Sequence, residues 1–252
     1  MNAAPSGSAE YFDGWYANMV GSTRRDELKQ RYLGLPAHLL STSLLPWEGI
    51  ADVVGALRLS PGCRLLDLAC GRGGYGLEVA RRAQARLVGV DFSREAVRQA
   101  ADAARAPGVE AEFRVGELSA TGLPDASVDA LMCIDSIQFE ATEATYRELR
   151  RVLAAGGRSV ITSWEALDRS DESVPERLRL VDLRAGLEGA GFLDVEVREP
   201  KAWRAAERNL WLAAAELDPA EGPDVRSLHD EAIRTLEGFD RIRRVFAVVT
   251  AP

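Results

Sequence analysis

Cysteine, histidine and long apolar runs are all scarce in this 252-residue sequence, and each scarcity removes a class of function. The three cysteines, Cys63, Cys70 and Cys133, are odd in number and lack metal-site spacing, so neither a disulfide framework nor a zinc site is expected. They read as reduced residues of a cytoplasmic protein. The two histidines, His38 and His229, leave little material for a histidine-built metal centre, and no metal is expected. No apolar stretch reaches the ~20 residues of a membrane-spanning helix, and no charged-then-apolar leader opens the chain, so no membrane partner is expected. Basic charge is outweighed: 31 Lys and Arg face 39 Asp and Glu, for a net charge of −8. That argues against nucleic acid as the substrate, because neutralising phosphates takes a basic surface. The clusters Arg147, Arg150, Arg151 and Arg241, Arg243, Arg244 read as solvated helix faces or charge balance. Neither an internal repeat nor a low-complexity linker is present.

What the chain does have is concentrated between Leu65 and Asp91. An apolar run reaches the acidic Asp67, a turn rich in glycine follows (Gly71, Gly73, Gly74, Gly76), then a helical segment, then a second apolar run ending in Asp91. This is strand, turn, helix, strand, with the turn at the carboxyl edge of a sheet, where open α/β sheets bind ligands. The glycines allow close approach of backbone to ligand, and Asp91 is placed to take two ribose hydroxyls. Gly71, Gly73 and Gly76 also satisfy the dinucleotide pattern GxGxxG. Asp67 separates the two readings. A dinucleotide site offers helix N-terminal amides to a pyrophosphate, and a carboxylate beside that anion repels it. A carboxylate suits a cationic ligand instead, and S-adenosylmethionine carries a sulfonium, an ammonium and a ribose but no phosphate.

With these residues the chain resembles the class I S-adenosylmethionine-dependent methyltransferases, clearly over about residues 45 to 165 and weakly elsewhere. The resemblance implies that the Asp67 region and Gly71 meet the methionine part of the cofactor and that Asp91 binds the ribose; Ala69 and Phe92 are further candidate cofactor contacts, and Tyr75 either covers the methionine part or packs on the helix. A third motif, Phe113–Leu118, carries Glu117 where most members have Asp against the adenine amino group; Leu118 follows it. After the fourth apolar run come Asp135 and Ser136, which the resemblance places at the methyl-transfer cleft. No Asn/Asp-Pro-Pro-Tyr/Phe segment follows that run, which argues against the branch that methylates nucleobase or amide amines. The resemblance is greater to bacterial natural-product enzymes than to those acting on macromolecules. It implies a small-molecule acceptor and a monomer or homodimer, and leaves open whether O, N, C or S is methylated.

The apolar periodicity alternates between the two element types, which predicts a doubly wound, seven-stranded, mostly parallel α/β sheet. Strands are expected at 63–68, 86–91, 110–115, 128–134, 158–164, 192–198 and 245–250. Helices are expected at 47–58, 74–83, 93–106, 142–152 and 176–190. The resemblance implies an antiparallel last strand beside the sixth. Helical segments at 10–45, and again at 199–242 between the last two strands, are expected to form a lid over the carboxyl edge of one methyltransferase domain spanning 1–250.

Candidate catalytic residues are Tyr16, from the aromatic stripe Tyr11, Trp15, Tyr16; His38, a possible base near neutral pH; and Gln138, just past the fourth strand. A base is needed only if the acceptor is a poor nucleophile. Two other readings stay open. A nicotinamide-dependent oxidoreductase is disfavoured by Asp67 and by the lack of a Tyr-x-x-x-Lys pair. A protein of this fold could also bind the cofactor without turning it over.

Overall fold

Strands that are buried on both faces need near-continuous apolar sequence, and the central strands have it. The computed structural model describes residues 8–18, 23–39, 41–105 and 108–252. In chain order it contains α1 (Ala9–Asn18), α2 (Thr23–Leu33), α3 (Trp47–Leu57), β1 (Arg64–Leu68), α4 (Gly74–Ala83), β2 (Arg86–Asp91), α5 (Arg94–Ala103) and β3 (Ala111–Val115). There follow β4 (Val128–Ile134), α6 (Glu143–Val152), β5 (Leu153–Ala166), α7 (Glu176–Arg179), α8 (Leu183–Gly189), β6 (Leu193–Arg198), α9 (Lys201–Ala215), α10 (Pro223–Gly238) and β7 (Ile242–Thr250).

The seven strands lie in the order β3-β2-β1-β4-β5-β7-β6. β1 pairs in parallel with β2 and β4; β7 slots between β5 and β6 and runs antiparallel to both. Successive strand residues point to opposite faces. On one face Leu65, Leu87, Met132, Val160 and Phe246 pack with α3, α4 and α9. On the other Leu66, Val88, Leu131, Ile161 and Val245 pack with α6 and α8. Side-chain caps fix several helix starts: Ser93, Thr142 and Asp182 accept from the backbone N–H of Ala96, Thr145 and Ala185. Among the described residues no helix is long and apolar enough to cross a membrane.

Two expected elements differ. β5 starts at Leu153, so Gly156 and Gly157 lie inside a 14-residue strand rather than before it. The β4 pairing jumps from Val128↔Leu153 to Ala130↔Arg158, and Gly156 takes up the irregularity at φ 73°. The helix expected over 176–190 is broken into α7 and α8, because Asp182 leaves the helical region (φ −140°, ψ 89°) to cap α8. The Leu183 N–H there donates to Glu165 Oε1 at 2.8 Å.

Gly89 in β2 shows how tightly the sheet is fitted beneath the glycine-rich turn. It pairs with Phe113 of β3, whose ring lies over it: a Cβ at Gly89 would sit 2.3 Å from Phe113 Cδ1 and 3.0 Å from Cys70 Sγ. Gly89→Ala is expected to lower stability by about 1–3 kcal/mol, the usual cost of overpacking. Urea unfolding measures it; an unchanged midpoint would show that the ring swings aside freely.

Candidate active site

β1 and β2 deliver two carboxylates to the same edge. Asp67 is buried against α4, where a Cβ on Gly76 would come within 2.5 Å of Asp67 Oδ2, so that turn of helix can carry only glycine. Asp91, also buried, accepts the Gly71 N–H through Oδ2 at 2.8 Å and the Ser93 N–H through Oδ1 at 2.9 Å. It thereby joins the glycine-rich turn to the start of α5. The turn is strained: Ala69 has φ 59° without being glycine, followed by Gly71 at 52° and Gly73 at 79°. Among the described residues neither carboxylate has a cation within ion-pair distance. Burial pushes the Asp67 carboxyl well above the usual range and the charge of Asp91 adds to this; burial also raises Asp91.

α1 closes over this pair. Tyr16 is buried, with its hydroxyl 3.0 Å from the position a Gly71 Cβ would take, and burial followed by the charge of Asp91 pushes its phenol upward. Phe12 packs between Phe92 and Phe139, with ring centroids 5.2 and 5.6 Å away. Asp13 accepts from the Ser93 hydroxyl and from the Glu95 N–H, and Gln99 Nε2 donates to the Tyr16 carbonyl at 3.2 Å. Glu117 is exposed in a tight bridge with Ala120, and Leu118 and Phe92 are half-buried.

Just past β4, Asp135 is also strained, at φ 55° without being glycine. Its carboxylate is consumed by protein. Oδ1 accepts from Thr162 Oγ1 at 2.6 Å and Arg244 Nη2 at 2.7 Å; Oδ2 accepts from the Leu44 N–H at 2.9 Å and the same Arg244 nitrogen at 2.8 Å. Arg244 also pairs with Glu207 of α9 at 3.3 Å and stacks over the Trp164 ring at 4.3 Å. Glu207 in turn accepts from Trp164 Nε1 at 3.1 Å, and burial pushes its carboxyl upward.

Several expectations need correction. Asp135, expected as a cofactor contact, is engaged by Arg244, Thr162 and Leu44. Gln138, expected near the acceptor, is buried with its amide donating to the Asp135 carbonyl and accepting from Ser163 Oγ, so it fastens the turn at 137–139. Of the two roles open to Tyr75, packing fits what is observed: its hydroxyl donates to the Leu45 carbonyl at 2.7 Å. The Ser136 hydroxyl donates to the Ile134 carbonyl at 3.0 Å. His38 sits on an exposed turn after α2 rather than among the buried groups. Arg244, expected on the surface, is the largest fully buried side chain among the described residues. A signal for it was present: in the β7 alternation Arg244 shares a face with Phe246 and Val248, which point to the core. Glu207 lies four residues from both Trp203 and Trp211, on the buried face of α9.

Comparison with known proteins fits this geometry. The family described as "Methyltransferase domain" matches residues 65–157. These residues form a methyltransferase domain. The chain is 31% identical over 207 residues to the sterol 24-C-methyltransferase of Yarrowia lipolytica, covering 74% of this chain and 52% of that protein, so it spans about half the length of this relative. Among solved structures it is similar to phosphoethanolamine N-methyltransferase 2 of Haemonchus contortus (TM-score 0.73, 18% identity, 94% of this chain and 59% of that one). It is also similar to the [4+2]-cyclase SpnF (TM-score 0.74, 21% identity, 100% and 98%). The methyltransferase domain therefore sits on the class I methyltransferase fold, with its glycine-rich turn at the start of the matched segment.

Two stability outcomes follow from the charges. Arg244→Met strands Asp135 and Glu207 as buried acids and is expected to cost about 3–5 kcal/mol. Arg147→Met, on the exposed face of α6, should stay within about 0.5 kcal/mol. Urea unfolding of the two variants side by side measures the contrast, and equal midpoints would refute it. Asp67→Asn is expected to raise the unfolding midpoint near neutral pH. A carboxyl whose folded-state pKa is raised binds more protons when folded, so its charged form opposes folding above the ordinary carboxylate range. The gain should shrink as pH falls through about 4, because below that the Asp67 carboxyl is protonated in both the folded and the unfolded state. Melting curves across pH test this, and a pH-independent difference would refute it.

Proposed function

We propose that this methyltransferase-domain protein binds S-adenosylmethionine and transfers its methyl group to a small organic acceptor. The observation that carries the reading is the pair of buried carboxylates, without a paired cation among the described residues, that bracket the glycine-rich turn. Leaving acids buried without a counterion costs several kcal/mol, which a ligand with positive charge and hydroxyls would offset. A pyrophosphate at the same turn would add to the repulsion.

In this reading Asp67, Ala69 and Gly71 hold the methionine part, Asp91 takes the ribose, Phe92 and Leu118 flank the adenine, and Glu117 accepts from its amino group. When bound, the cofactor supplies a methyl on a sulfonium, open to in-line displacement, so orientation accounts for most of the catalysis. Tyr16 and the aromatic α1 shut water out of the site. The N-terminal helices and the 199–242 insertion act as its lid, and Ser136 lies on the cleft side of β4. We further infer a soluble cytoplasmic enzyme, monomeric or homodimeric, of bacterial secondary metabolism. The acidic balance of the chain and the missing amine-methylating segment support a small acceptor.

A second reading is favoured by one observation: the end-to-end match to a neighbour named as a [4+2]-cyclase. On that reading the protein binds the cofactor while catalysing, or assisting, another reaction.

Calorimetric titration separates these. Micromolar binding of S-adenosylmethionine and S-adenosylhomocysteine, with none of reduced nicotinamide nucleotides, is expected. Asp91→Asn should weaken both by more than tenfold, about 1.4 kcal/mol. Unchanged affinity in this variant would remove the site assignment. Tight binding without methylation of any acceptor in a broad panel would favour the second reading.

A further inference from the structure

The arginines on and beside α7 have partners, with one exception. Arg169 pairs with Asp182 at 2.6 Å, Arg179 Nε donates to the Val174 carbonyl at 3.1 Å, and Arg241 pairs with Asp171 at 3.9 Å. Arg177 has neither a hydrogen bond nor an ion pair among the described residues; its guanidinium lies over the Phe139 ring, 5.2 Å from the centroid. The fold puts it there. Leu178 is buried with Trp164, Ala166, Val174 and Ile242, which seats α7 on the end of β5. The preceding residue, Arg177, thereby meets the short turn Ile137–Phe139 that follows β4. Phe139 is 51% exposed, a large apolar ring left open at the carboxyl edge of the sheet. Its ring also meets Phe12 of α1, and Phe12 packs on Phe92, the neighbour of Asp91. Phe139 thus joins Arg177 to the ring cluster beside the ribose carboxylate. Arg177 keeps an exposed surface, yet burial among the surrounding atoms lowers its guanidinium pKa. A group both open and crowded lines a recess. The acid facing it from α10, Glu231, is already paired with Arg25 at 2.6 Å.

We propose that Arg177 and Phe139 select the methyl acceptor, and that this acceptor is an anionic amphiphile. Its apolar body lies along Phe12 and Phe139, and Arg177 holds a carboxylate or phosphate at the end away from the methylated atom. The proposal rests on the function given above and names its acceptor class. The planar guanidinium fork grips two oxygens of either anion at once. A guanidinium without a partner in a recess has lost part of its hydration, and a matching anion restores what was lost. The open ring of Phe139 supplies apolar surface for the body of the ligand to cover, in a site otherwise short of polar groups. The ring also holds the cation in place before the ligand arrives.

Calorimetry on protein saturated with S-adenosylhomocysteine tests this with octyl phosphate, octanoate, octanol and butyl phosphate. Wild type is compared with Arg177→Gln, Arg177→Lys, Phe139→Ala and the surface control Arg147→Gln, each first checked for wild-type melting. At least one of the two octyl anions is expected to bind wild type about tenfold or more tightly than octanol does. Whichever anion binds better identifies the group as phosphate or carboxylate. Arg177→Gln should abolish the preference over octanol, Arg177→Lys should keep part of it, and Arg147→Gln should leave it whole. Octyl phosphate should bind more tightly than butyl phosphate, and Phe139→Ala should narrow that difference. Equal binding of octanol and both anions, no binding of either anion, or a preference that survives Arg177→Gln overturns the proposal. A chain-length difference untouched by Phe139→Ala overturns the place given to the apolar body. If S-adenosylhomocysteine does not bind wild type, the methyl-transfer reading fails instead, and the same titrations of the free protein still decide whether Arg177 holds an anion.

Discussion

Arg244 bonds to Asp135 at the end of β4 and to Glu207 on α9 while lying against Trp164 of β5, and so ties three parts of the molecule to one guanidinium. Through Asp135 it also reaches the N-terminal connection, because the same carboxylate accepts the Leu44 N–H. The position of the α3 approach, the seat of the insertion and the strained end of β4 all depend on this cluster. Buried ion pairs are weak evidence for added stability over an apolar core, since desolvation offsets most of the Coulomb gain. What the cluster contributes is arrangement: each acid is satisfied in one geometry, with Thr162 and the tryptophan N–H groups as further donors.

The carboxyl edge holds two kinds of buried acid. Asp135 is neutralised within the protein and stays structural. Asp67 and Asp91 have backbone N–H donors but, among the described residues, no cation, and burial favours their protonated forms. A fold tolerates such unmet charge where a ligand will meet it, at the expense of the stability of the free protein. The strained Ala69 and Asp135, at the ends of neighbouring strands β1 and β4, belong to the same region.

Legibility in the sequence followed from how local each signal was. β1, α4 and β2 lie within thirty residues and carry period, glycines and acids together, so their bounds and the two carboxylates could be read directly. The antiparallel last strand came through resemblance, not periodicity. Gly156–Gly157 looks like a turn by composition, and only the pairing with β4 shows that it is a bulge. Arg244, Glu207 and Asp135 are far apart in sequence; Arg244 and Glu207 alone resemble surface charges, Asp135 a cleft residue, and the alternation of β7 was the one local hint of the cluster. Gln138 and Tyr75 sit where ligand contacts are common, but partners supplied by distant backbone decide what their side chains do.

The place of β7 has a consequence for how the chain acquires its structure. β5 and β6 are not neighbours; both wait for a strand that is made after them and after the forty-odd residues of the insertion. Until β7 arrives, β5 presents a long open edge, and Asp135 and Glu207 have no counter-charge to close around. The sheet is therefore completed in one late, non-local step that supplies hydrogen bonds and cation together. Such steps are slow and leave an edge that other chains can join, so during synthesis the segment from β5 to the insertion is where this protein is most exposed to misassembly.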